Sequence, residues 1–390
     1  MSPKSLSVKV SPATLRWARA SAGVTIDEVA ARLHTDAAAV SRWETGEEEP
    51  TLGALEKLSR LLRRPLAILL LPEPPQEAAL PSDFRVLPGT LAAPLSRKSR
   101  LAIRRAQRLQ RLSRELLSEL GIEHAPNVEP AHLDSDPEEL AARERVRFGI
   151  SLQEQSAWGT VRDAFAAWRR AIESRNTLVF RFPMPVRECR GFSLTADEPP
   201  VIVVNSSDSV SAANFTLFHE YAHVLLRAGG ICLVEDADDD NGLPVERFCD
   251  RFAGAFLVPR EALLKDSRLG RSVDPAALPD EDILAIAARF RVSRFVVWRR
   301  MLETHLLPTD AYWERVRRWQ AEPPPVRPRR RGGPRPANRC VQERGRRFAS
   351  LVLEARNREV ITHRDAMDYL SVAPQHIGKV EALLRGGRAK

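Results

Sequence analysis

The sequence lacks the features of a secreted, disulfide-bonded or membrane-spanning protein. Its 4 cysteines are scattered without CxxC spacing, and the N-terminal segment MSPKSLSVKV has no apolar signal core. Apolar stretches such as PLAILLLP fall far short of the roughly 20 residues that span a bilayer. These absences predict a protein of the reducing cytoplasm that has no membrane partner.

Aromatic residues are also scarce, at 6%, so the cores must consist mainly of Leu, Ala and Val. A hydrophobic content of 43% and a charged content of 28% are typical of a chain that folds into globular domains. The 390 residues suffice for two or three such domains. The net charge of +9 permits an anionic partner such as DNA but does not identify one.

Residues 11–72 have the pattern of short helices joined by tight turns. Thr25 begins a capping box, Asp36 can cap the next helix, and Gly46 ends that helix. Thr51 then opens another helix in TLGALEKLSRLL. This arrangement predicts a helix–turn–helix inside a small helical bundle.

A basic amphipathic helix is predicted next, over residues 96–120. Its apolar stripe comprises Leu101, Leu109, Leu112, Leu116 and Leu120. Cations dominate its first part, SRKSRLAIRRAQRLQRLSR. Such a run is usually a solvated helix face, and its alternative role is nonspecific affinity for nucleic acid.

The middle of the chain changes character. Three β-rich runs, TLVFRF, RGFSL and PPVIVVN, precede two helical segments, NFTLFHEYAHVLL and PVERFCDRFAGAFLVP. Strands followed by helices indicate an α+β domain. The acidic segment 235–242 between the two helices fails the spacing of an EF-hand, because Arg247 occupies the place of the bidentate glutamate. We therefore expect a solvated loop there.

His219 and His223 belong to an H-E-x-x-H pattern on the first of these helices. Side chains four residues apart lie one turn above each other, so both imidazoles can reach one metal ion. Glu220 would then lie beside the ion, where a carboxylate can act as general base. The alternative is an ordinary helix that contains two histidines by chance.

The second helix offers the remaining groups of such a site. Glu246 can supply a third ligand, and Asp250, one turn later, can orient His219 or His223 by a hydrogen bond. A catalytic zinc needs three protein ligands and one open position. In the alternative interpretation, Glu246 is a surface residue and Asp250 pairs with a neighbouring arginine.

The strand PPVIVVN, the H-E-x-x-H helix and VERFCDRFAGAFLVP together resemble the ImmA/IrrE-type zinc metallopeptidases, over roughly residues 190–260. The resemblance implies a gluzincin-like site with His219, His223 and Glu246 on zinc and Glu220 as the base. It also implies a site-specific endopeptidase that cleaves a repressor of the XRE class and so relieves repression. Asp250 departs mildly from the family pattern, in which asparagine is commoner at this position.

The N-terminal segment VAARLHTDAAAVSRWETGEEEPTLGALEKLSRLL resembles XRE-type helix–turn–helix domains. Ala37 to Ala39 occupy positions that usually read bases, and alanine can contact only a thymine methyl group. Ser41 and Arg42 are therefore the remaining candidates for DNA contacts. The domain can instead serve as a protein-interaction module that pairs with an XRE-type substrate or partner.

We expect an α+β fold: a zincin-like metallopeptidase domain with an N-terminal all-α helix–turn–helix bundle and a helical C-terminal region. The expected segments are an XRE-like domain (1–75), a linker with the basic helix (76–134), the zinc metallopeptidase domain (135–265), a helical, winged-helix-like region (266–321), a basic Pro/Gly-rich linker (322–340) and a small helical tail (341–390).

The expected function is a Zn²⁺-dependent endopeptidase that regulates transcription by cleaving an XRE-type repressor in a stress response. The alternative is an XRE-type DNA-binding regulator, or an antitoxin that partners a toxin, with the metal site structural or idle. Both interpretations permit DNA as a partner, and neither excludes a homo-oligomer.

Overall fold

The computed structural model describes residues 6–75, 95–122, 127–228, 231–233, 244–271, 274–322 and 333–386. The acidic segment 235–242 and residues 323–332 of the basic linker, both interpreted above, lie outside this part of the chain. The chain divides into two compact units, one of Met1–Ser82 with Val86–Arg104 and one of Asp83–Arg85 with Arg105–Lys390.

The first unit contains the predicted helical bundle. Its helices are α1 (Pro12–Ala22), α2 (Ile26–Leu33), α3 (Ala37–Thr45), α4 (Leu52–Leu62) and α5 (Leu66–Leu69). Thr25, Asp36 and Thr51 each accept a hydrogen bond from a backbone N–H three residues on, which confirms the predicted N-caps. Gly46 ends α3 with a positive φ of 84°.

The core of this bundle is apolar and is tied together by one ion pair. Its buried side chains include Leu15, Val29, Leu33, Val40, Trp43, Leu55 and Leu58. Arg19 on α1 donates to both carboxylate oxygens of Glu44 on α3, at 2.6 and 2.8 Å. Such a bidentate pair fixes the two helices more specifically than a point charge would.

The basic helix α6 (Arg97–Glu119) follows, with Gly121 at a φ of 64° just beyond its end. The division between the two units falls within α6, between Arg104 and Arg105. Four of the five predicted apolar positions are buried, whereas Leu101 is half-buried. The predicted stripe is therefore largely confirmed.

The second unit is an α+β structure, as predicted. Its first part contains α7 (Pro137–Phe148), α8 (Leu152–Ala157), α9 (Val161–Glu173), β1 (Leu178–Phe182), β2 (Cys189–Leu194), β3 (Val201–Asn205), α10 (Val210–Leu225), β4 (Ile231–Leu233) and α11 (Pro244–Leu257). The strand order is β1-β3-β2-β4, with β3 parallel to β1 and antiparallel to β2, and β4 antiparallel to β2. Three strands were predicted, and β4 is the fourth.

Helices complete the second unit. They are α12 (Arg260–Leu264), α13 (Asp280–Phe290), α14 (Arg294–Glu303), α15 (Thr309–Gln320), α16 (Pro336–Arg344), α17 (Arg346–Asn357), α18 (His363–Leu370) and α19 (Pro374–Arg385), with short 3-10 turns at Leu269–Arg271 and Pro275–Ala277. One hydrophobic core joins the sheet to helices between α7 and α15. Among the described residues, no helix is long and apolar enough to cross a membrane.

Asn205 fixes the chain between β3 and α10. Its side chain is fully buried, and its Oδ1 accepts hydrogen bonds from the backbone N–H groups of Met184 (3.1 Å) and Ser207 (2.9 Å). Its Nδ2 donates to the carbonyl oxygens of Met184 (3.0 Å) and Cys189 (2.8 Å). One amide therefore satisfies four backbone groups at the entrance to the helix that carries both histidines.

We expect Asn205→Ala to lower the free energy of unfolding by about 3 kcal/mol or more, because several buried backbone groups lose their hydrogen bonds to the amide. Urea unfolding with a metal chelator present measures the change. Asn357→Ala, at an exposed position on α17, is the control and should stay within about 0.5 kcal/mol of the wild type. A loss below about 1 kcal/mol for Asn205→Ala would contradict this role.

Candidate metal centre

Two helices bring the predicted site residues together. His219 and His223 lie one turn apart on α10, and Glu246 and Asp250 lie one turn apart on α11. In each pair the spacing of four residues places both side chains on one face of the helix. The spacing within each helix is a local property of the sequence. Assembly of the complete site depends on how α10 packs against α11.

The two imidazoles and one carboxylate converge on a single point. Nε2 of His219 lies 3.1 Å from one oxygen of Glu246, and Nε2 of His223 lies 3.4 Å from the other. The two Nε2 atoms are 3.3 Å apart. Ligands of a tetrahedral zinc ion, bound at about 2.1 Å, lie about 3.4 Å from one another. These three residues therefore fit a divalent metal ion.

The outer nitrogens of both histidines are also held. Nδ1 of His219 lies 2.8 Å from a carboxylate oxygen of Asp250, and Nδ1 of His223 lies 3.0 Å from the carbonyl oxygen of Ala228. A carbonyl can only accept, so Nδ1 of His223 carries a proton and donates it to Ala228, which leaves Nε2 as the ring atom that faces the cluster. This is the arrangement that orients imidazoles toward a metal ion.

The two imidazoles stabilise the ionised carboxylate of Glu246. Burial raises the pKa of Glu246, but hydrogen bonds from His219 and His223 outweigh it and hold that pKa well below its usual range. The Glu246 side chain is 25% exposed, whereas both histidines are almost fully buried. Solvent therefore reaches the cluster from the side of α11.

Glu220 lies next to these groups and is fully buried. Neither of its carboxylate oxygens has a hydrogen-bond partner within the described part of the chain. Burial raises its pKa to about 7, against the opposing influence of His223 and His219. A buried carboxylate without partners is costly, and a pKa near neutrality suits a group that both takes and returns a proton.

Gly191 on β2 allows the sheet to approach this carboxylate. A Cβ atom at Gly191 would lie 2.4 Å from the Cγ2 of Thr216 and 3.1 Å from Oε1 of Glu220. The strand and α10 are therefore packed too closely for any larger residue. The sequence alone contains no signal for this contact, because Gly191 and Glu220 meet only in the folded chain.

The opposite side of α10 is anchored in the core. The Tyr221 hydroxyl donates a 2.7 Å hydrogen bond to Glu144, and Phe218 stacks on Phe256 of α11 with ring centroids 4.0 Å apart. Tyr221 thus points away from the histidines, as a regular helix requires, and takes no part in the cluster. These contacts fix the rotation of α10 and hence the direction of both imidazoles.

Cys249 is a neighbour that sequence analysis missed. It is fully buried, and its Sγ and the ring nitrogens of His219 and His223 all lie within 4.8 Å of one another. The available signal was its position three residues after Glu246, which places it on the same face of α11.

The guanidinium of Arg299 lies near Asp250, the residue that holds His219. Burial lowers the pKa of Arg299, but Glu303, Tyr312 and Asp250 outweigh that effect and raise it. Arg299 also donates to Glu303 at 3.1 Å. Asp250 therefore lies between the imidazole of His219 and the guanidinium of Arg299.

In the helix–turn–helix unit, the two candidate DNA contacts lie on α3. Ser41 is exposed, and Arg42 is half-exposed with its Nε bound to Glu48 at 2.8 Å. Part of the positive charge of Arg42 is therefore already neutralised within the domain. Both residues remain candidates.

Comparison with known families agrees with this geometry. Residues 172–302 match the peptidase M78 family, described as the IrrE N-terminal-like domain, and residues 15–69 match a helix-turn-helix family. The chain thus joins a helix–turn–helix domain to a peptidase-family domain of the IrrE type, which confirms both resemblances seen in the sequence. This combination is that of a regulator with a metallopeptidase-type domain. No curated protein and no solved structure matches the chain significantly.

We predict that ionisation of Glu220 makes the metal-free protein less stable as pH rises from about 4.5 to about 7. Its folded pKa of about 7 exceeds the ordinary value of 4.5. Below that ordinary value Glu220 is protonated in both states, and its contribution to stability is fully present. Between it and neutrality only the unfolded state releases the proton, so the folded state loses on the order of 3 kcal/mol by pH 7.

The measurement is urea unfolding with chelator at several pH values, for the wild type and Glu220→Gln. The variant should gain stability relative to the wild type as pH rises to about 7, and the difference should then level off. Glu56→Gln, at an exposed position on α4, is the control and should show no such trend. A pH-independent difference for Glu220→Gln would refute the assignment.

Proposed function

We propose that the chain is a zinc-dependent endopeptidase of the cytoplasm that regulates transcription by cleaving an XRE-type repressor in a stress response. One observation carries the proposal: a buried, unpartnered Glu220 lies beside two imidazoles and a carboxylate that converge on one point. A purely structural metal site would not require a second buried carboxylate, Glu220, beside the three converging groups.

In this proposal His219, His223 and Glu246 would hold the ion. When bound, zinc supplies Lewis acidity that polarises the scissile carbonyl group. Glu220 takes a proton from the attacking water as the water oxygen bonds to the carbonyl carbon. The same carboxyl then gives that proton to the amine nitrogen as the C–N bond breaks.

The helix–turn–helix unit supports the choice of substrate. Arg42 is paired with Glu48, which leaves exposed Ser41 as the freer of the two candidate contacts on α3. These two positions therefore offer little for reading base edges. A module of this class can instead pair with another XRE-type domain, such as that of the repressor. The proposal therefore assigns the unit to substrate recognition.

Glu220→Gln tests the enzyme. We expect it to keep about one zinc per chain, because Glu220 is not among the converging groups, and to lower cleavage by roughly 10²- to 10⁴-fold. His223→Ala is the matched control and should lose the metal as well as the activity. New protein N-termini, compared by mass spectrometry in cells that express each protein at equal abundance, measure cleavage.

The expected result is new N-termini within an XRE-type repressor for the wild type and none for either variant. Wild-type protein that binds no stoichiometric metal, or that generates no new N-termini, would reject the proposal. Regulation that is unchanged by Glu220→Gln would favour the second candidate, a binding regulator or antitoxin with an idle metal site.

The match of residues 15–69 to a helix-turn-helix family favours DNA binding in that second candidate. We expect the full chain to bind DNA weakly and with a steep dependence on salt, because Ala37, Ala38 and Ala39 begin α3 and cannot donate to base edges. Titrations of duplex DNA at several salt concentrations measure this. Nanomolar binding to one operator at physiological salt, lost on Ser41→Ala or Arg42→Ala, would contradict the expectation.

A further inference from the structure

The contacts of Cys249 extend the metal centre beyond its three converging groups. Its thiol is fully buried on α11, and Sγ and the ring nitrogens of His219 and His223 lie within 4.8 Å of one another. Within the described part of the chain, these three side chains form a group whose spacing could hold a metal ion. Glu246 contacts the same two imidazoles, at 3.1 and 3.4 Å.

The separations decide what the thiol can do. In a tetrahedral zinc site, with Zn–N bonds of about 2.1 Å and Zn–S bonds of about 2.3 Å, a sulfur lies about 3.6 Å from each nitrogen. The Sγ atom of Cys249 lies within 4.8 Å of the ring nitrogens, a limit longer than the separation in a zinc site. A change of the Cys249 χ1 angle can move Sγ by roughly the difference. Since Glu246 and Cys249 are three residues apart on one helix, both can face the imidazoles together.

A second observation points to a ligand at this place. Glu220 is fully buried there, and neither of its carboxylate oxygens has a hydrogen-bond partner among the described residues, so both are available to a bound species. Four protein ligands close a zinc site, whereas three leave a position for water. A thiol within reach of the ion would therefore compete with the water that Glu220 has to activate.

We propose that Cys249 is a fourth, displaceable ligand of the ion held by His219, His223 and Glu246, so that the centre alternates between a closed, thiolate-bound state and an open state. The inference rests on the proposed function. Ligation releases the thiol proton to solvent as the metal–sulfur bond forms, and displacement returns a proton to the sulfur as that bond breaks. The closed state stores the ion, and the open state is the one competent for catalysis.

Cobalt substitution tests this without any assay of activity. Full-length protein loaded with one Co²⁺ per chain should show a near-ultraviolet thiolate-to-cobalt charge-transfer band. Cys249→Ala should bind one Co²⁺ about 10-fold or more weakly and lose the band. Cys249→Ser, which keeps the size of the side chain, should lose it too. Cys340→Ala removes another buried free thiol and should keep the band.

The outcomes separate the two proposals. If the wild type binds one Co²⁺ without the band, or if the band survives in Cys249→Ala, the thiol is not a ligand and only this inference falls. If no Co²⁺ binds at all, the proposed function falls with it. Loss of the band in Cys249→Ala and Cys249→Ser, with retention in Cys340→Ala, establishes the ligand.

Discussion

The candidate site depends on the packing of α10 against α11. Each helix supplies only half of the donor set, so neither His219 nor Glu246 has a role until the two helices meet in one register. The stacked rings of Phe218 and Phe256, with centroids 4.0 Å apart, set that register from the apolar side. The paired imidazoles and carboxylate meet on the other side. Apolar packing thus determines the position of the polar groups.

The same packing creates the unusual state of Glu220. The close approach of β2 at Gly191 removes water from around the carboxylate, and this burial raises its pKa to about 7. An alanine at Gly191 would place its Cβ 2.4 Å from Thr216 Cγ2, so β2 and α10 would have to move apart. The sheet is therefore part of the site even though it contributes no converging group. Its contribution is exclusion of water, which increases the effect of every nearby charge.

Much of this could be predicted from the sequence, because the patterns involved are local. Thr25, Asp36 and Thr51 act within one helical turn, and the histidine spacing needs only a regular helix. The carbonyl of Ala228, the approach of Gly191 and the three-residue strand β4 could not be predicted. Each depends on residues that meet through tertiary packing, and a backbone carbonyl has no side-chain signature. Cys249 is an intermediate case. Its spacing from Glu246 can be read from the sequence, but the burial of its thiol beside the histidines cannot.

The distribution of charge also favours a site that performs chemistry. Cations that looked available on α6 are partly engaged, since Arg105 binds Glu343 at 3.0 Å and Arg114 binds Asp197 at 3.1 Å. Within the described residues, neither carboxylate oxygen of Glu220 has a partner of this kind. A chain that needed only a structural ion would be more stable with an apolar residue in that place, because burying an unpaired acid costs free energy. The buried acid is therefore best explained by a task that requires a mobile proton.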